Sequence, residues 1–182
     1  VRPYAPDSAG SVAGEGGGIL MLESLDHARA RSAKVYAEVA GFGNAQSQAG
    51  LLPPFHSSRA DAMNDGLRRA ILAAIKDAGV GPEAIDAIVP QACGIPAFDA
   101  GEDGALRSVF GGRLAGIPRI LLSPLIGDCL AGNGGLQAGI GSMMVHRGGV
   151  PGKSGSGPCR TVLVCSSSQG GQNAALVLRA VA

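Results

Sequence analysis

Met63, Leu67, Ile71, Ala74, Ile75 and Ala78 recur at the three- and four-residue spacing of a single helix face. Ser58 and Asp61 at its start resemble a capping box, and Gly79 and Pro82 end it. Within a few residues the chain enters the buried-looking run Ile85, Ala87, Ile88 and Val89. A one-faced helix feeding an apolar strand is the unit of a layered α/β domain, because each element buries its apolar side against the other.

The rest of the chain continues this alternation. Ile19 to Leu22, after Gly14-Glu15-Gly16-Gly17-Gly18, is expected as a short buried strand, and the glycines before it as a tight turn. A helix is expected over Ser24 to Ser32, with Leu25, Ala28 and Arg29 at helical spacing, then a strand over Val35 to Gly43. Residues 44 to 57 carry Gly, Pro and Ser and predict a loop. Asp99 and Glu102 predict a second capping box. It opens a helix that turns Leu106, Val109 and Phe110 inward and stops at Gly111. A strand over Ile120 to Leu122, a helix marked by Leu136, Ile140 and Met143, and a hairpin of Thr161 to Cys165 with Ala174 to Leu178 complete the pattern. No internal repeat is visible.

Composition narrows the function classes. The 182 residues suit one domain, 1–182, burying roughly 70% of its unfolded surface. At 46% hydrophobic and 16% charged residues, the chain forms a core rather than a disordered coil. No window approaches the ~20 apolar residues of a membrane span. A net charge of +1 lacks the clustered basic footprint of a nucleic-acid binder, and Arg29, Arg31 and Lys34 suit a solvated helix end. Aromatic residues at 3%, with no Trp, leave little for stacking bases or sugars. Cys93, Cys129, Cys159 and Cys165 show no CxxC pairing and no metal-like spacing with His27, His56 and His146, so no metal is expected and a reduced, cytosolic setting is the simplest inference. The opening VRPYAPDSAG has neither an initiator Met nor a signal-peptide core, and is expected to be a cut from a longer chain.

Chemistry centres on IDAIVPQACGIPAFDAGE, residues 85 to 102. Enzymes place a general base where such a strand ends, yet the loop offers only Gln91 and Cys93. Asp99 and Glu102 could act as an acid/base pair, although capping explains their spacing more cheaply. The Gly14–Gly18 run precedes a strand instead of joining strand to helix, and none of Lys34, Lys76 and Lys153 sits in a phosphate loop, so no cofactor is implied. Cys93 and Cys165 have no histidine nearby in sequence and suit buried structural thiols. Ser166, Ser167 and Ser168, followed by Gln169-Gly170-Gly171, offer backbone amides suited to an oxyanion, a look shared by any glycine hairpin loop.

These pieces together resemble the C-terminal half of a β-ketoacyl synthase of the thiolase-like superfamily, over nearly the whole chain. Arg2-Pro3-Tyr4 and GSVAGEGGGILMLESLDHARARSAKVYAEVAGFG resemble the family stretch running from Arg-Pro-Phe-Asp through Gly-Glu-Gly-Ala-Gly to a Leu-Glu-x-Leu-Glu-His-Ala helix. GPEAIDAI and the closing GGQNAALVLR resemble further family segments. The resemblance implies an α/β fold, the C-terminal half of a thiolase-like layered αβαβα sandwich. It also implies decarboxylative Claisen condensation, with a cysteine in the N-terminal half and two histidines and a lysine in this half. Matching Ile85, Asp86, Pro96, Asp99 and Glu102 to the His-Gly-Thr-x-Thr segment places the first histidine at Gln91. Matching SPLIGD to Lys-Ser-x-x-Gly-His places the lysine at Ser123 and the second histidine at Asp128. The family's Gly-Phe-Gly-Gly loop becomes Ser168-Gln169-Gly170-Gly171, a substrate and oxyanion loop with Gln169 at the gating aromatic's position. The stretch from Gly148 to Cys159 is shorter than the family's loop.

Gln takes up no proton at neutral pH, Ser123 supplies no positive charge, and Asp128 brings the wrong sign to a malonyl carboxylate or enolate. The expectation is a ketosynthase-like subunit of fatty acid or polyketide synthesis. It would be cytoplasmic and catalytically silent, of the chain-length-factor type, partnered by an active ketosynthase in a dimer and by acyl carrier protein. Two alternatives are an acyltransferase with altered chemistry, using a cysteine in the N-terminal half, and a carrier-binding module without enzymatic activity.

Overall fold

The computed structural model describes residues 1–47, 60–152, 157–168 and 170–181. Helix α1 (Leu25–Ala30) leads into strand β1 (Glu38–Gln46) and the long helix α2 (Ala60–Asp77). Strand β2 (Ala87–Val89), helix α3 (Pro96–Phe110), the single turn α4 (Ser123–Ile126) and helix α5 (Asn133–Arg147) follow, and strands β3 (Thr161–Ser167) and β4 (Gln172–Arg179) close the chain. The strands form one mixed sheet in the order β1-β4-β3-β2. β1 and β3 run antiparallel to β4, and β2 runs parallel to β3.

Strand β3 explains the layering. Its residues alternate sides with period two. Leu163 and Cys165 pack with Leu67, Ile71 and Ala74 of α2 and Leu106 and Phe110 of α3. Val162 and Val164 pack with Met144 and Val145 of α5. Both sets are buried, so helices have to cover both sheet faces. The stripe expected on α2 is this core contact wherever its side chains are described. Gly79 then ends the helix with φ +66, a left-handed value that glycine adopts without strain. The proposed Ser58–Asp61 cap and the side chain of Met63 lie outside the described residues, as does most of the 44–57 loop, whose first residues continue β1.

Two glycines let α2 lie directly on β1. A Cβ at Gly41 would sit 2.2 Å from the carbonyl oxygen of Ala74, and one at Gly43 would sit 2.1 Å from that of Ala70. Among the described residues β1 is one edge of the sheet. The Phe42 N–H there donates to the Asp77 carboxylate of α2 (2.9 Å), and the register slips between Val39 and Gly41.

Several expectations need correction. Residues 19–22 form no strand: Ile19, Met21 and Leu22 are exposed, and no strand pairs with them. The glycines before them make no tight turn. Ala13 bridges to Asp128, and then Gly14, Gly16 and Gly18 press against Ile126, Leu136 and Gly135 while Gly17 faces open space, the alternation of an extended chain. Residues 120–122 form no strand: the one bridge here, parallel between Ile88 and Arg119, lies just before them, β2 is only three residues long and α4 begins at Ser123. Helix α3 starts at Pro96, so Asp99 lies inside its first turn and is no N-cap. The deepest face of α5 is Gln137, Ala138, Gly141, Met144 and Val145, one position round from the expected stripe. Gly141 permits that rotation, since a Cβ there would lie 2.9 Å from Leu178 Cδ1.

Candidate functional site

Parallel strands β2 and β3 end side by side, and the loop after β2 carries Gln91. The Gln137 side-chain amide on α5 donates to the carbonyls of Pro90 (2.7 Å) and Cys165 (3.0 Å), tying the two strand ends together. Such carboxyl ends are the usual place for a site in an α/β sheet. Here a small pocket with a cavity volume of about 20 Å³, partly open to solvent, is lined by Gln91, Ala92, Cys93, Phe98, Asp99, Glu102 and Ser167.

Two buried carboxylates shape the loop. Glu102 accepts hydrogen bonds from the N–H groups of Gln91 (2.8 Å) and Ala92 (2.9 Å) and from the Tyr4 hydroxyl (2.6 Å). Asp99 accepts from the N–H groups of Gly94 (3.1 Å) and Tyr4 (3.0 Å), with the Cys93 thiol at 3.8 Å. Holding the loop is their role, in place of the capping expected from their spacing. The grip sustains an unusual backbone, since Ala92 sits at φ +47, where non-glycine residues are uncommon. Burial raises the pKa of both acids despite these donors.

The positions assigned from the family resemblance gather around this loop. Gln91 is half-buried, with its side-chain oxygen 3.4 Å from the Ser166 hydroxyl. Ser123, the buried first residue of α4, donates its hydroxyl to the Ala92 carbonyl. Asp128 is buried, and its carboxylate accepts from the Leu130 N–H (3.0 Å) and the Asn133 side-chain amide. Its backbone exchanges hydrogen bonds with Val12 (2.7 Å) and Gly14 (2.9 Å). Burial pushes the Cys93 thiol up to about 12, and the carboxylates of Asp99, Asp128 and Glu102 push the same way. Burial also raises Cys165 well above its usual value, so both thiols stay protonated at neutral pH. All four cysteines are free and buried.

Ser168, Gly170 and Gly171 form the turn between β3 and β4; Gln169 lies outside the described residues. The N–H of Ser168 donates to Gln172 O and that of Gly171 to Ser168 O, both at 2.9 Å. The Gly171 carbonyl accepts from Ser47 N–H (2.7 Å) and the Asn173 side-chain amide (2.8 Å). His27 lies on α1 beside Glu23, and His146, at the end of α5, meets Tyr36 with ring centres 5.0 Å apart and planes tilted by 59°. Neither approaches the pocket lining. Among the described residues no cluster of His, Cys, Asp and Glu could hold a metal ion, and no helix is long and apolar enough to cross a membrane.

Sequence reasoning gave Tyr4, Arg119, Asn133 and Gln137 no part in the site. Arg119 places its guanidinium 4.5 Å from the Tyr4 ring centre and pairs with Asp103 (3.0 Å). A polar Gln137 within an otherwise apolar stretch of α5 was the one available signal.

The two buried acids set a pH dependence. Their folded pKa values lie above the ordinary carboxylate values near 4. Their contribution to stability is therefore fully present below about pH 4 and is lost as pH rises through the raised values. Glu23 and Asp65, held low mainly by Arg31 and Arg68, act in the opposite window, losing their contribution as pH falls. Denaturant midpoints from pH 4 to 7 should decline in the native chain and decline less in Asp99→Asn; equal slopes would refute the assignment.

Comparison with known proteins agrees with this architecture. Residues 36–155 match the family model described as the C-terminal domain of β-ketoacyl synthase. A 3-oxoacyl-[acyl-carrier-protein] synthase 2 from Synechocystis sp. is 34% identical over 150 residues, covering 82% of this chain and 35% of that protein. Among solved structures, the ishigamide ketosynthase/chain length factor superposes with TM-score 0.85 at 31% identity, over 100% of this chain and 47% of the other. A type II polyketide acyl-carrier protein complexed with its ketosynthase gives TM-score 0.86 at 28% identity, over 98% of this chain and 47% of the matched one. The chain thus spans about a third of that curated relative and about half of each solved chain. With its mixed sheet between helices, the chain belongs to the β-ketoacyl synthase family, as the C-terminal half of a thiolase-like fold shared with ketosynthase and chain-length-factor structures.

Proposed function

We propose that this chain is the C-terminal part of a ketosynthase-like subunit that performs no condensation itself, and that it acts beside an active ketosynthase as a chain-length-factor type of partner. The observation that carries the reading is the chemistry at Gln91, Ser123 and Asp128. Decarboxylating a malonyl unit needs positive charge or neutral donors where the enolate forms. Ser123 spends its hydroxyl on Ala92, and Asp128 holds its carboxylate against Leu130 and Asn133. With Asp99 and Glu102 alongside, the site presents acids where an anion would have to settle. The Ser168-Gln169-Gly170-Gly171 loop then serves to shape an acyl cavity, and acyl carrier protein is the partner that delivers the chain.

The full-length protein is expected to co-purify with a ketosynthase encoded beside it, to change the length of that enzyme's product, and to release no carbon dioxide from malonyl-acyl carrier protein by itself. Decarboxylation by the isolated protein at the rate of an active ketosynthase, or failure to associate with any decarboxylating partner, would overturn the reading.

A further inference from the structure

Strands β2 and β3 pair in parallel as far as Val89 and Val164. The next residue after β2 is Pro90, which has no N–H, so the ladder cannot continue through it. Pro90 and Cys165 are both buried, and their carbonyls still need donors. One side chain supplies both, since Gln137 Nε2 on α5 donates to Pro90 O (2.7 Å) and to Cys165 O (3.0 Å). Gln137 is 2% exposed, and its own Oε1 is buried and accepts no hydrogen bond from the described residues. Turning the amide over would bring that oxygen against two carbonyl oxygens, so its orientation is fixed. A buried acceptor without a donor is costly, and an amide present only for packing would carry that cost with nothing to offset it.

We propose that Gln137 is a positioning residue whose amide sets the gap between the loop that starts at Gln91 and the turn formed by Ser168, Gly170 and Gly171, and through that gap the length of acyl chain the site accommodates. The link to acyl length rests on the reading in which this turn shapes an acyl cavity.

Each tied carbonyl lies beside the pocket. Pro90 immediately precedes Gln91, and Cys165 leads through Ser166 to Ser167, and both Gln91 and Ser167 line the pocket. The two sides are braced separately. Glu102 and Asp99 of α3 hold the Gln91 side through the N–H groups of Gln91, Ala92 and Gly94. The turn is held through Gly171 O, which accepts from the Ser47 N–H and the Asn173 amide. Gln137 is the buried tie between them. Its base is firm, because Gly141, one turn further along the same helix face, brings α5 close to the sheet: a Cβ there would lie 2.9 Å from Leu178 Cδ1 and 3.1 Å from Val164 Cγ2. With a pocket of only about 20 Å³, a small change in the gap alters its size by a large fraction.

The test is Gln137→Met in the full-length protein, which keeps the side chain's length and bulk and removes both hydrogens. Hydrogen exchange gives the local reading. Protection at the amides of Val89 and Gln91 is expected to fall about tenfold, while β4 keeps its native protection. Product analysis with the partner ketosynthase gives the second reading. The ratio of neighbouring chain lengths is expected to change about tenfold, the discrimination a pocket gains or loses with one methylene, at an unchanged rate of malonyl consumption. Protection lost in β4 along with Val89 and Gln91 would make Gln137 a general core residue and overturn the inference. Native protection at those two amides would overturn it as well. A native product ratio despite lost protection, where the unsubstituted protein does set product length, would overturn the link to acyl length. An unsubstituted protein without influence on product length would instead sink the chain-length reading, and the positioning role would then stand or fall on the exchange result.

Discussion

Replacing Gly43 with alanine is expected to lower stability by about 3 kcal/mol or more, the larger end of overpacking costs. The added Cβ would stand 2.1 Å from the Ala70 carbonyl and 2.6 Å from the Ala74 amide nitrogen, both backbone atoms of α2. No side-chain rotation relieves such a clash. α2 must instead lift from β1, and its contacts through Leu67, Ile71 and Ala74 loosen together. Gly112→Ala is the control, because nothing lies within 4 Å of its Cβ position, and it should stay within about 0.5 kcal/mol of the native chain. Denaturant unfolding of both variants measures the difference, and equal midpoints would refute the packing argument.

Glu102→Ala is expected to cost about 3 kcal/mol, and for a different reason. Truncation leaves the N–H groups of Gln91 and Ala92 and the Tyr4 hydroxyl without their acceptor, and each buried unsatisfied group costs about 1–3 kcal/mol. Removing a buried carboxyl group, whose pKa burial raises, offsets part of that sum. Glu102→Gln keeps one acceptor oxygen and should cost roughly half as much. Amide hydrogen exchange gives the local readout: protection at Gln91 and Ala92 should collapse in Glu102→Ala while β3 and β4 keep theirs. Full protection at those two amides would show that the carboxylate is not what holds the loop.

These two residues mark where sequence reading succeeds and where it stops. The α2 stripe was legible because its burial follows the helical period, and β2 and β3 because a strand covered on both faces reads as an unbroken apolar run. Periodicity did not separate Ile19–Leu22 from a strand, since an apolar run looks the same whether it meets a partner strand or faces outward. Asp99 and Glu102 were legible as important and misread in role. A capping box is a local pattern, whereas their donors include Tyr4, 95 and 98 positions away in the chain. Arg119 and Gln137 were missed for the same reason, as each acts through a contact made only by the finished fold, whereas Asn133 bonds Cys129 and Asp128 only four and five positions away, in a local turn that no motif flagged. The grouping of Gln91, Ser123 and Asp128 came from family likeness, because no spacing rule brings positions 91, 123 and 128 to one place.

The Asp77 tie to the Phe42 amide also bears on how the chain behaves when crowded. An edge strand with free amides and carbonyls is a template on which other chains can add strands, the first step toward fibrils. Here one amide of the β1 edge is already taken by a carboxylate, and the slipped register between Val39 and Gly41 interrupts the regular ladder a growing fibril would copy. The contact that fastens α2 to the sheet thereby also keeps the sheet from growing at this edge.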